Sequence, residues 1–187
     1  MKLTIQPIFD SPANADHLRK LCKQFAEGYV DIENNYTCRS LEMNRKQQLE
    51  TCSFDIRNGS AYWIMVDNKR AGYVIAPWAY EKNKYRYLDT RFILPEYQGK
   101  GLGSQVLDIL VRDLNVVLTC IHWDQLKRYQ GYYVERDFSV AIARGAVDDN
   151  FVHELEHQYD NPHMFVLHKN NPNLKEYQKL FTYIDLV

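Results

Sequence analysis

No unbroken apolar run in the 187 residues is longer than the six from Ala61 to Val66, and Met1 to Pro7 hold no apolar core. A membrane-spanning helix needs about 20 such residues and a secretory leader needs an apolar centre, so neither is expected, and no membrane partner with them. An excess of one charge is missing too. Lys plus Arg number 23 and Asp plus Glu 24, for a net charge of −1, and basic residues never run beyond pairs such as Arg45-Lys46 and Lys127-Arg128. Without a basic stripe, no nucleic acid is expected as partner. Cysteine is scarce: Cys22, Cys38, Cys52 and Cys120 form no C-x-x-C pair. They read as reduced thiols, small and buried, in a cytoplasmic protein. Internal repeats and Pro/Gly/Ser-rich linkers are also lacking, so residues 1–169 read as one domain.

What remains is an ordinary globular balance, 45% hydrophobic and 25% charged. Leu3, Ile5 and Ile8-Phe9 predict a first strand, and Leu18, Leu21, Cys22 and Phe25 repeat at helical spacing up to Gly28. After a polar connection, Leu41 to Ile56 predicts a second helix, ended by Asn58-Gly59-Ser60. Ala61 to Val66 and Ala71 to Ala76 predict a hairpin about the turn Asp67 to Arg70, and Tyr85 to Leu94 one long antiparallel strand. From Gly101 the apolar residues take the helical period as far as Leu114, and Asn115 to Ile121 returns as a strand. That order is a βαβ crossover. A short helix over Asp124 to Tyr133, a strand over Phe138 to Ala143, an insertion over about 145–162 and a strand over Met164 to His168 follow. The tail, 170–187, is expected to form an amphipathic helix that caps its own domain or joins a second copy in a homodimer. The fold class is α/β, a mixed sheet flanked by helices.

Gln98-Gly99-Lys100-Gly101-Leu102-Gly103-Ser104 sets three glycines at alternate positions between a strand and a helix. Glycine removes the Cβ barrier to positive φ and to close approach, and a helix start adds outward N–H groups and a positive dipole end. The pair makes a phosphate site. It is not a Walker loop, because Lys100 lies among the glycines instead of after them. Nor does it fit G-x-G-x-x-G, since the loop stands mid-chain after a hairpin.

The stretch Arg91-Phe92-Ile93-Leu94-Pro95-Glu96-Tyr97-Gln98-Gly99-Lys100-Gly101-Leu102-Gly103 resembles the acetyl-CoA signature Q/R-x-x-G-x-G/A of the GNAT (GCN5-related) N-acetyltransferase superfamily. Gln98, Gly101 and Gly103 fill its three defined positions. The resemblance implies a GNAT-like fold, a mostly antiparallel sheet with a central crossover, and an acetyl-CoA-dependent transferase acting by direct attack of a primary amine, small-molecule or peptidyl, with no metal. It places a strand bulge at Phe92, Ile93 and Leu94, where a backbone N–H would hold the thioester carbonyl, and the pyrophosphate against Gln98, Gly99, Lys100, Gly101, Leu102, Gly103 and Ser104. It also implies a tyrosine acid for the leaving thiolate. Tyr133-Val134-Glu135-Arg136-Asp137-Phe138 matches that spacing but has Asp137 where glycine is usual, and Tyr132 and Tyr129 are alternatives.

A primary amine is neutral only about once in 10³ molecules at pH 7, so a proton acceptor is needed. Asp89 ranks ahead of Glu81 for that role. By the same resemblance the acceptor passes Glu27, Tyr29, Asp31, Glu33 and Tyr36 on one side and Trp78, Tyr80 and Tyr85 on the other, a set suited to a cation. Two other functions compete. One is a non-catalytic module that holds acyl-CoA. The other is a zinc hydrolase, because His153-Glu154-Leu155-Glu156-His157 matches H-E-x-x-H.

Overall fold

In the computed structural model the described residues are 1–29, 43–78, 86–122, 131–143, 163–169 and 181–183. Its elements are β1 (Leu3–Pro7), α1 (Pro12–Tyr29), α2 (Arg45–Arg57), β2 (Ala61–Val66), β3 (Lys69–Ile75), β4 (Arg86–Leu88), β5 (Thr90–Ile93), a 3-10 turn (Pro95–Tyr97), α3 (Leu102–Leu114), β6 (Val116–His122), β7 (Phe138–Ala143), β8 (His163–His168) and β9 (Phe181–Tyr183). They divide into two compact units, Met1–Pro77 with Asp89–Leu107, and Trp78–Leu88 with Asp108–Val187. No described helix is long and apolar enough to cross a membrane.

The first unit carries an antiparallel sheet in the order β1-β2-β3-β5. Its hairpin turns on two residues, not the four expected. Asp67 and Asn68 take φ of 47° and 63°, the two left-handed positions of a type I′ turn, which Asp and Asn tolerate well. Ser11 Oγ accepts the N–H of Asn14 at 3.1 Å to start α1, with Pro12 as the first helical residue. A capping box starts α2: Asn44 Oδ1 accepts from Gln47 N at 3.0 Å, and Asn44 N donates to Gln47 Oε1 at 3.1 Å. That cap fixes the helix start at Arg45, four residues later than the apolar pattern predicted. Leu18 and Leu21 from α1, Cys52 and Ile56 from α2, and Trp63, Tyr73 and Ile75 from the sheet form one buried cluster.

In the second unit the order is β4-β6-β8-β7-β9. β4 and β6 run parallel, so β4, α3 and β6 make the expected crossover. The single long strand expected over Tyr85 to Leu94 is corrected: the run breaks at Asp89, and its halves pair in different sheets. The helical tail is corrected as well. Phe181–Tyr183 is a strand antiparallel to β7, where it extends the sheet. The rest of 170–187 lies outside the described residues, as does the H-E-x-x-H segment.

One glycine is fixed by packing. A Cβ on Gly72 would lie 2.0 Å from the Phe92 carbonyl oxygen, a backbone atom that has no rotamer to move to. Gly72→Ala should therefore cost about 2–3 kcal/mol in urea unfolding. Gly28→Ala, whose Cβ meets nothing within 4 Å, should cost nothing. Equal midpoints for the two variants would refute this packing.

Candidate functional site

β5 delivers the chain to the glycine loop and α3 carries it away. Leu94 N donates to Ala71 O at 2.9 Å, Pro95 opens the 3-10 turn, and Tyr97 N and Gln98 N close back on Leu94 O and Pro95 O. Gly99 and Gly101 follow with φ of 73° and 71°, which residues with a Cβ rarely adopt. Gln98 to Gly101 are exposed, whereas Leu102 is buried at 1% and anchors the helix start. Gly103 differs from the other two. Its φ is not in the left-handed region, and a Cβ there would meet nothing nearer than Ile93 Cδ1 at 3.9 Å and Arg91 Cζ at 4.0 Å. A Cβ at 103 would make only ordinary contacts with these two side chains, so neither backbone strain nor a clash requires glycine there.

Side chains brace the loop from below. Gln98 Nε2 donates to Ile93 O at 2.6 Å, Lys100 Nζ to Glu96 O at 2.8 Å, and Arg91 Nη1 to Gly103 O at 2.8 Å. Arg91 was not a predicted site residue. Strand alternation with Ile93 was the available signal, since both meet Gly103 from the same face of β5. The first turn of α3 has no acidic residue to offset its positive end.

The strand interruption lies earlier than the resemblance implied. Ile75 pairs with Thr90, yet its carbonyl accepts from Asp89 N at 3.0 Å, so two residues oppose one as in a β-bulge. The amide of Leu94 is committed to Ala71, and alternation turns that of Ile93 away from β3. Phe92 serves the core, its ring 5.7 Å from Phe25 and 5.8 Å from Tyr73. Asp89 itself is exposed, and its Oδ2 accepts from Thr90 Oγ1 at 2.9 Å. Across from it stands Asp55 on α2. Burial first, and then the Asp89 carboxylate, push Asp55 up to about 7.

Of the predicted acceptor residues the described chain holds Glu27, Tyr29 and Trp78. Glu27 lies exposed on α1, 3.6 Å from Lys23 Nζ, and Tyr29 ends that helix. Trp78 is 39% exposed, with one ring face on the Arg86 guanidinium at 3.6 Å. Asp31, Glu33, Tyr36, Tyr80, Glu81 and Tyr85 lie outside the described residues, as does Tyr129. Among the described residues no group of His, Cys, Asp and Glu could hold a metal ion.

Tyr133 belongs to the second unit, 6% exposed and packed edge-on between Tyr132 and Phe138 at 5.0 and 5.6 Å. The departure at Asp137 has a local explanation. Its φ is 64°, the conformation that favours glycine, and an ion pair with Lys169 and a Lys169 N–H bond to its carbonyl hold it there.

The family model for the acetyltransferase (GNAT) family matches residues 26–138, more than half of the chain. The chain belongs to the GNAT family. No curated protein matches it in sequence. Among solved structures, an acetyltransferase from Thermus thermophilus superposes with a TM-score of 0.59 at 14% identity, covering 89% of this chain and 96% of that one. The PaiA N-acetyltransferase from Thermoplasma acidophilum, in complex with coenzyme A, gives 0.56 at 13% identity over 90% and 99%. An N-acetylglutamate synthase from Neisseria gonorrhoeae, complexed with coenzyme A and N-acetyl-glutamate, gives 0.57 at 14% over 90% of this chain and 36% of that one. At these identities the likeness is one of fold, and it places this GNAT chain in the α/β class expected.

The Asp55 shift sets a pH dependence. Between 3.8 and about 7 the folded chain holds a proton that the unfolded chain releases. This contribution to stability is complete below 3.8, declines as pH rises and is lost above about 7. Asp55→Asn, neutral throughout, should raise stability by about 1–2 kcal/mol at pH 8 and change it little at pH 4, measured by urea unfolding. An equal change at both pH values would exclude a raised carboxyl.

Proposed function

We propose that this GNAT protein is an acetyl-CoA-dependent N-acetyltransferase whose acceptor is a primary amine. The observation that carries this is the glycine loop at the head of α3, exposed from Gln98 to Gly101 with Gly99 and Gly101 at positive φ, opening onto a helix start that has no acidic residue. Acetyl-CoA, when bound, supplies the acetyl group already activated as a thioester. The backbone of Gln98 to Ser104 would bind its pyrophosphate, and the dipole of α3 would stabilise that charge. Gly99 and Gly101 preorganise the loop, and Arg91 holds its last turn to β5 through the Gly103 carbonyl.

The amine must lose a proton to attack. Asp89 is the proposed acceptor at its carboxylate, and Asp55 beside it, with a pKa of about 7, can share that proton at neutral pH. Tyr133 Oη is proposed to return a proton to the departing thiolate, which matches its place five residues before Phe138. Exposed Glu27, with Asp31 and the aromatic side chains of Trp78 and Tyr80, favours a cationic amine, small-molecule or peptidyl, by charge and cation–π attraction.

A thiol-release assay with acetyl-CoA and a panel of amines tests this directly. Turnover is expected, fastest with cationic acceptors; binding without turnover on any amine would make the chain a CoA-binding module instead. A folded Gly103→Val protein should bind acetyl-CoA at least about 10-fold more weakly by calorimetry, and undiminished affinity would remove the loop assignment. Tyr133→Phe keeps the ring and removes the acid, so kcat should fall by about 10² while acetyl-CoA affinity stays constant. An unchanged kcat would make Tyr133 structural and turn attention to Tyr132 or Tyr129.

A further inference from the structure

A histidine, an arginine and a tryptophan meet where α1 packs on the β2-β3 hairpin. The pairing of those two strands slips by one residue: Ile64 opposes Gly72, but Met65 opposes Arg70. Strict alternation from Tyr73 would send Arg70 to the far side of the sheet. The extra residue returns it to the face of Trp63 and Tyr73, which α1 covers with Leu18 and Leu21. There the Arg70 guanidinium lies over the Trp63 ring, 4.5 Å from its centroid, with Nη2 donating to Asn14 Oδ1 at 3.1 Å and Nη1 standing 2.8 Å from His17 Nδ1. The half-buried His17 ring meets Trp63 edge-on at 5.2 Å. A guanidinium has donors and no acceptor, so the bond runs from Arg70 to His17 and Nδ1 must offer a lone pair. The contact therefore requires a neutral imidazole with its proton on Nε2.

We propose that His17 is an acid-released latch between α1 and the β2-β3 hairpin. Neutral, it accepts from Arg70 and closes the contact. Once it takes a proton from solvent, Nδ1 has no lone pair left, two cations face each other at hydrogen-bond distance, and the contact opens. The charged groups around the ring favour the closed form at neutral pH. Burial first, then Arg70 of β3 and Lys20 one turn along α1, hold His17 below its usual range, and Asp16 pulls the other way. The Asp16 carboxylate is shared among Arg19 at 3.2 Å, Lys20 at 3.0 Å and Arg45 of α2 at 3.7 Å. Trp63 of β2 brings no charge. A histidine lowered on folding stabilises the chain fully above 6.5, and that contribution declines as pH falls and is lost below the folded pKa of His17. The latch does not depend on the transferase activity.

The test uses the full chain. Long-range proton–nitrogen NMR spectra of the histidine rings identify His17 by the signals that His17→Gln loses. At pH 8 the wild type should show His17 protonated on Nε2 and bare on Nδ1, and its titration midpoint should lie below 6.5. Arg70→Gln removes the neighbouring charge and should move that midpoint up toward 6.5. His17→Gln keeps an oxygen that can accept from Arg70 and cannot titrate. The thermal midpoint of this variant relative to wild type should therefore rise by about 2–4 °C between pH 8 and pH 5. Comparing the two proteins at each pH cancels Asp55, which titrates over the same interval. A proton on Nδ1 at pH 8, or a wild-type midpoint at or above 6.5, would overturn the proposal, and both are read on the wild type without any variant having to fold. So would an unmoved midpoint in Arg70→Gln, or a thermal difference for His17→Gln that does not change with pH.

Discussion

A strand residue can give its N–H and C=O to only one side at a time, and the run from Arg86 to Ile93 divides that capacity between two sheets. Up to Leu88 the chain pairs in parallel with β6; from Thr90 it pairs antiparallel with β3. The change takes a single residue, Asp89, whose amide reaches the same Ile75 carbonyl that opposes Thr90. Several parts of the proposed site follow from this one bulge. It exposes the carboxylate of Asp89, starts β5 in the register that sets Phe92 against the core, and brings Arg91 and Ile93 under the first turn of α3.

The glycines divide into kinds by what each must avoid. Gly72 avoids a clash with the Phe92 carbonyl, so it protects the pairing of β3 with β5. Gly99 and Gly101 avoid Cβ strain at positive φ, which lets the chain double back from a 3-10 turn into a helix within a few residues. Gly103 avoids neither. A side chain there would make only ordinary contacts with Ile93 and Arg91, and the proposed phosphate would lie at this head of α3. Solved GNAT structures at 12–14% identity keep the same fold, in keeping with a fold held by backbone geometry more than by particular side chains.

α1 and α2 of the first unit meet the sheet over a largely apolar cluster. Asp55 on α2 is raised there to about 7, by burial first and then by the Asp89 carboxylate. Leu18, Leu21 and Ile56 on the same two helices are buried, and burial disfavours a charged carboxylate. One region thus serves packing and holds a carboxyl near neutrality beside Asp89.

By itself the sequence determined the elements whose cause is local. The period of Leu102, Val106, Leu107 and Leu110, the apolar strands from Ala61 and Phe138, and the glycine spacing after Gln98 each act over a few residues, and the strand-loop-helix order that marks the family could be read from them. The tertiary structure alone decided what depends on partners far away in the chain. Whether 86–93 is one strand or two depends on β3 and β6, and whether Phe181–Tyr183 is helix or strand depends on the edge of β7. Arg91 as a brace and Asp55 as a carboxyl raised to about 7 both arise between segments that no periodicity connects. Local patterns fix which face of an element is apolar, but burial, charge proximity and hydrogen-bond pairing are properties of two segments together, and only the folded chain sets them side by side.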